Sequence, residues 1–209
     1  GSARDPALLR ATFGLRDPAR VLEEVQRLRV LPWTAEDARA LLAAVGFRAG
    51  AVIAKAAIAT NSKTEAEALV SAMALARGPV MVLPMFDALV ESKASHAARE
   101  WLEENTAFVV PELLPLLAIP NGRGEAAATY LRELVQTGRR ELVTKTLGDR
   151  PESVLRAVQI KVLSAREHEH VVVAGAELPP WAERCFGDPA DLTIERAALA
   201  PELENPSVH

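Results

Sequence analysis

Residues 98–118 read AREWLEENTAFVVPELLPLLA. A tryptophan sits in a charged helical pattern, and the apolar run after it carries two prolines, Pro111 and Pro115. Trp101 and Leu102 fit the inner face of one helix, and Asn105 or Thr106 caps the next. If that second helix begins at Thr106, Pro111 must bend it; if it begins near Val110, Pro111 is a first-turn proline and the residues before it are a linker. Under both readings the stretch is a seam between stacked helices rather than a ligand site.

Working outward, Gly, Pro and Asn-Ser breakers divide the chain into segments with apolar residues at helical spacing. Asp17-Pro18 is a cap with proline in the first turn, opening a helix through Val21, Leu22, Val25 and Leu28. Thr34 with Asp37 is a variant capping box leading a second helix that stops at Gly46. Helices are predicted next over 51–59, from Thr64 to the Gly78-Pro79 stop, and over 80–90 with Pro84 in or near the first turn. Further ones follow over 95–104, 106–118, 124–137, 139–147 and 151–163.

The result is an all-α fold of about ten helices joined by short turns, which makes sequential helices antiparallel neighbours. An α-solenoid of HEAT or armadillo-like helix pairs over 1–165 fits this pattern. Only a weak internal echo supports a true repeat: Val82-Leu83-Pro84-Met85-Phe86 against Val109-Val110-Pro111-Glu112-Leu113. A compact irregular helical domain is the other arrangement the pattern allows. Residues 166–209 are expected to be a capping segment and a loosely ordered acidic tail, with 171–173 either a short strand or a helix end.

Composition bounds the function. Apolar residues make up 49% and aromatics only 4%, with alanine and leucine supplying most of the apolar mass, a helical bias. The net charge is −4, with nine Lys and Arg against six Asp and Glu in residues 1–60 and 15 against 22 in the remainder. That balance disfavours a general nucleic-acid binder. A single cysteine, Cys185, points to a reducing compartment, the cytoplasm by default. No uninterrupted apolar run reaches membrane-spanning length and no signal peptide opens the chain, so no membrane role is expected. Gly1-Ser2 has the form of a scar left by protease cleavage, from which we expect a longer natural protein.

No residues are assigned as catalytic, cofactor-binding or metal ligands. His168 and His170 would share a face on a strand but diverge on a helix, and zinc needs further ligands, whereas His96, His209 and Cys185 are remote in sequence. A solvated charged turn accounts for the cluster, and no cofactor is expected. Asn121-Gly122-Arg123-Gly124 precedes a helix as a phosphate loop does, but lacks the strand before it and the Lys-Ser/Thr after it, so it reads as a turn. Ser95-His96 are adjacent on a helix and cannot readily form a dyad. Glu23-Glu24 and Glu103-Glu104 read as solvated faces, and Trp33 and Trp101 as core anchors.

The run Ala98-Arg99-Glu100-Trp101-Leu102, the helix ending Pro115-Leu116-Leu117, Ala126-Ala127 with Leu131, and Thr137-Gly138-Arg139 together resemble the helical region of the large MolR-like bacterial proteins, which often carry a WGR module. Leu178-Pro179-Pro180-Trp181 resembles the junction after that region. The resemblance covers about half of the chain. It implies a HEAT-like array within a large protein and transfers no catalytic residue. The expected function is a non-catalytic interaction or scaffold segment holding a protein partner or other domains of its parent chain. A HEAT-like nucleic-acid-binding or base-excision module is the alternative, and a small-molecule sensor using 121–124 is a weaker third.

Overall fold

The computed structural model describes residues 5–148 and 150–164, together with the backbone of 170–171 and 194–195. The chain divides into two compact units, residues 1–162 and 163–209. The α-helices of unit one among its described residues are α1 (Pro6–Thr12), α2 (Pro18–Leu28), α3 (Ala35–Val45), α4 (Gly50–Ala59), α5 (Lys63–Met73), α6 (Val82–Glu91), α7 (Ser95–Glu104), α8 (Thr106–Leu113), α9 (Gly122–Leu134), α10 (Arg140–Leu147) and α11 (Glu152–Val158). In unit two, strand β1 (His170–Val171) pairs antiparallel with β2 (Ile194–Glu195), His170 opposite Glu195. The expected acidic tail after Pro201 lies outside the described residues.

Local chemistry explains the helix starts. The side chain of Asp5 accepts the Leu8 N–H, that of Asp17 the Ala19 N–H, that of Thr34 the Asp37 N–H and that of Ser62 the Glu65 N–H, each satisfying a donor that a helix terminus leaves open. Asp37 does not return the favour as a capping box would. Its buried carboxylate accepts from Arg10 at 3.3 Å instead, tying α1 to α3. Gly46, at φ +66°, ends α3.

Sequential helices pack as pairs, α2 with α3, α4 with α5 and α6 with α7, while α4 also packs on α6, α6 on α8, α3 on α5 and α5 on α7. Lys93 donates to the carbonyl of Asn61 at 2.6 Å, which sets the C-terminal ends of α4 and α6 side by side. Leu9, Leu41, Ile53, Leu69, Met73, Met81, Met85, Phe86 and Leu102 are fully buried between these helices, each contributing roughly 1.5–3 kcal/mol of transfer free energy.

Residues 35–59 form a run with an 18-residue window of mean hydropathy 1.7, so by length and composition it could cross a membrane. In this fold the run turns sharply at Gly46, and Leu41, Val45, Ile53, Ala56 and Ala57 are buried against neighbouring helices.

At the seam, α8 begins at Thr106 and contains Pro111. Pro111 leaves the carbonyl of Ala107 without its helical donor, and Ala107 is exposed, so water can serve it. Pro115 then opens a tighter turn over Leu114–Ala118. Asn105 is buried and its backbone carbonyl accepts from Phe108 and Val109, but its side chain does not cap α8. The amide donates backwards to the Trp101 carbonyl at 2.7 Å, closing α7.

Candidate interaction groove

Three helices, α2, α4 and α6, enclose a groove of about 840 Å³. Its floor is low because α4 presents small side chains there, Ala51, Ala54 and Ala59, with Val52 and Ile58 as the larger apolar contacts. Val25, Val30 and Leu31 form the wall at the end of α2, and Asp87 closes the far side from α6.

Arg29 ends α2 in the left-handed conformation, φ +53°, with its N–H bonded to the Gln26 carbonyl and the Val30 N–H to the Val25 carbonyl. This is the double closure that usually takes glycine. A side chain there costs on the order of 1 kcal/mol, and the side chain present is an exposed guanidinium at the groove. Lys55 is exposed on α4 in the same groove. Neither cation has an ion-pair partner among the described residues. Asp87 is different: Arg123 holds its Oδ1 at 2.7 Å. Burial pushes its carboxyl above the usual range, Arg123 pulls it back, and Glu91 adds to the rise. The groove therefore offers two uncompensated positive charges over an apolar floor.

The residues weighed in the sequence lie elsewhere. Ser95 and His96 are exposed on the first turn of α7, and His96 Nε2 lies 3.5 Å from Glu100 Oε1. Glu103 and Glu104 are exposed, Glu104 3.7 Å from Arg77. Trp101 is buried and Trp33 half-buried. His168, His209, Cys185 and the side chain of His170 lie outside the described residues. Among the described residues no cluster of three or more His, Cys, Asp or Glu could hold a metal ion.

The turn at 121–124 is filled by protein. Asn121 Oδ1 accepts the Gly124 N–H at 2.9 Å, a donor that a phosphate loop would keep free. A Cβ at Gly124 would lie 2.3 Å from the Ile119 carbonyl oxygen and 2.7 Å from that of Leu116. Glycine is needed for that close approach.

Sequence reasoning missed the groove. The signal available was the small face of α4 together with Arg29 and Lys55, none of which belongs to a motif. A comparison with family models found no match to this chain, and comparisons with curated proteins and with solved structures found none either.

Proposed function

We propose that this chain is a non-catalytic, HEAT-like helical-repeat segment that holds a protein partner, or another domain of its parent protein, in the α2–α4–α6 groove. The observation that carries this reading is the pair of uncompensated cations, Arg29 and Lys55, over an apolar floor, an arrangement suited to apolar anchors flanked by acidic groups. The repeat arrangement is supported by the alternate-helix packing, α4 on α6 on α8 and α3 on α5 on α7, which is how stacked helix pairs bury a continuous core. The likeness of 98–139 to the MolR-like helical region agrees with such a role, and the reading places the protein in the cytoplasm.

The nucleic-acid alternative rests on the same two cations. Salt-sensitive binding to a phosphate backbone scales with the number of phosphates neutralised, and two cations beside the Asp87–Arg123 pair supply few. Chromatography on heparin and on DNA at low salt tests the choice. The protein-binding reading expects the chain to pass without retention; salt-sensitive retention abolished by Lys55→Glu would overturn it in favour of nucleic acid.

A further inference from the structure

We propose that the α2–α4–α6 groove receives its partner as an acidic amphipathic α-helix laid along α4. The inference rests on the groove being the binding surface and specifies the form of what binds there. Helices α4, α6 and α8 pack each on the next, whereas α2 packs on α3 without comparable packing against α4. The groove is the slot left open there. Within it α4 leaves one stripe uncovered: Val52, Ile53, Ala54, Ala56 and Ala57 are buried, while Ala51, Lys55 and Ala59 are exposed and Ile58 is half-buried. Positions 51, 55 and 59 are four apart, so they form one row on the helix surface, the kind of row beside which a second helix beds its own ridge. Alanine at both ends of the row lets that helix come close.

Backbone chemistry selects a helix over an extended segment. A segment pressed onto an apolar floor must satisfy its own N–H and C=O groups. Helix α4 keeps its backbone bonds internal, and in the α2 wall Arg29 and Val30 have given their N–H groups to the carbonyls of Gln26 and Val25. Pro32, just beyond the wall, has no N–H to give. Leu31 alone between them cannot make the ladder that an added strand needs, whereas a helix closes its bonds within itself. Charge then sets the face. Arg29 and Lys55 have no ion-pair partner among the described residues, and Asp87 on the opposite side is held by Arg123 at 2.7 Å. Residues 38–64 contain Arg39, Arg48, Lys55 and Lys63 and no Asp or Glu, so α4 brings no carboxylate of its own to the slot. A second copy of this groove would set cation against cation. The helix that fits carries Asp or Glu on the flank toward Arg29 and Lys55, and an apolar stripe at i, i+3 or i+4, and i+7 against Val25, Leu31 and Ile58.

Benzophenone side chains placed singly at Ala51 and at Ala59, in cells producing the full-length protein, test this. The two positions lie about 12 Å apart along α4. Peptide mapping of the two adducts should place the attachment points about five to eight residues apart in one acidic segment, the spacing of a helix that crosses α4 at up to about 50°. Lys55→Glu should lower both adduct yields at least about fivefold, and Arg29→Asn, which suits the left-handed backbone at that position, should act in the same direction. Attachment points about two to four residues apart would mark an extended segment and overturn the helix while leaving the groove as the binding surface. Attachment points in separate segments, or in a segment without Asp or Glu, would overturn the proposal too. No adduct at either position would overturn the reading of the groove along with it.

Discussion

Arg150 donates from Nη2 to the carbonyl of Pro111 at 3.3 Å, joining the turn before α11 to the proline-bearing seam at α8. That carbonyl is the one Pro115, four residues on and without an N–H, cannot serve from within the helix. The second proline is therefore matched by a side chain 39 positions from the first. Arg150→Ala should cost about 1 kcal/mol in urea unfolding. In a Pro115→Ala background, where residue 115 regains its N–H, the same substitution should cost less than half as much. Additive losses would refute the pairing.

Trp101 is 4% exposed at the packing of α7, so Trp101→Ala should destabilise the chain by roughly 3–5 kcal/mol. Its indole N–H is buried with no hydrogen-bond partner among the described residues. Trp101→Phe, which keeps a ring and removes that unmatched donor, should stay within about 1.5 kcal/mol of the parent. Chemical denaturation of both variants checks the ordering. A near-neutral Trp101→Ala would return this residue to the list of binding candidates.

Arg29 occupies a backbone conformation that favours glycine and points a cation at the groove. Arg29→Gly should raise stability by up to about 1 kcal/mol, read as a higher denaturation midpoint, while weakening capture of the groove's partner. Stability unchanged or lowered would mean that the arginine is held there by contacts worth more than the strain.

The phenol of Tyr130 is pushed up to about 12, first by burial and then by Glu103 and Glu133, with Arg99 and Arg139 pulling the other way. Phenolate absorbance of the folded chain should therefore appear well above the ordinary tyrosine range near pH 10. The sign for stability follows from the raised value. The unfolded chain ionises first, so stability is intact below about pH 10 and falls between about pH 10 and 12, by on the order of 2 kcal/mol. Tyr130→Phe should flatten that decline, and an unchanged slope would contradict the assignment.

Much of the helical framework was legible in the sequence because it rests on local chemistry. Thr34 and Asp17 act as the caps their spacing predicts, Gly46 stops α3, and α7 spans Ser95 to Glu104 as the pattern indicates. The helix α1 was not anticipated, although Asp5-Pro6 repeats the cap and first-turn proline of Asp17-Pro18. The start of α5 is set by Ser62 rather than Thr64, since two hydroxyl residues separated by Lys63 offer the same signal. The 121–124 turn was readable, but the need for Gly124 was not, because the carbonyls it approaches belong to the preceding turn. The groove was hidden for a different reason. It is made by what α4 lacks, and Ala51, Ala54 and Ala59 look in sequence like ordinary helix formers. The Asp87–Arg123 pair joins residues on α6 and α9 that no local rule connects.

Site-specific photo-crosslinking in cells producing the full-length protein tests the central claim most directly. A benzophenone side chain placed at Ile58, in the groove, should give one discrete protein adduct, or one discrete intramolecular crosslink to another domain of the same chain. Lys55→Glu should remove it, and the same probe at the exposed Ser71 of α5 should not produce it. No adduct at Ile58, or the same adducts from both positions, would contradict the reading of this groove as the binding surface.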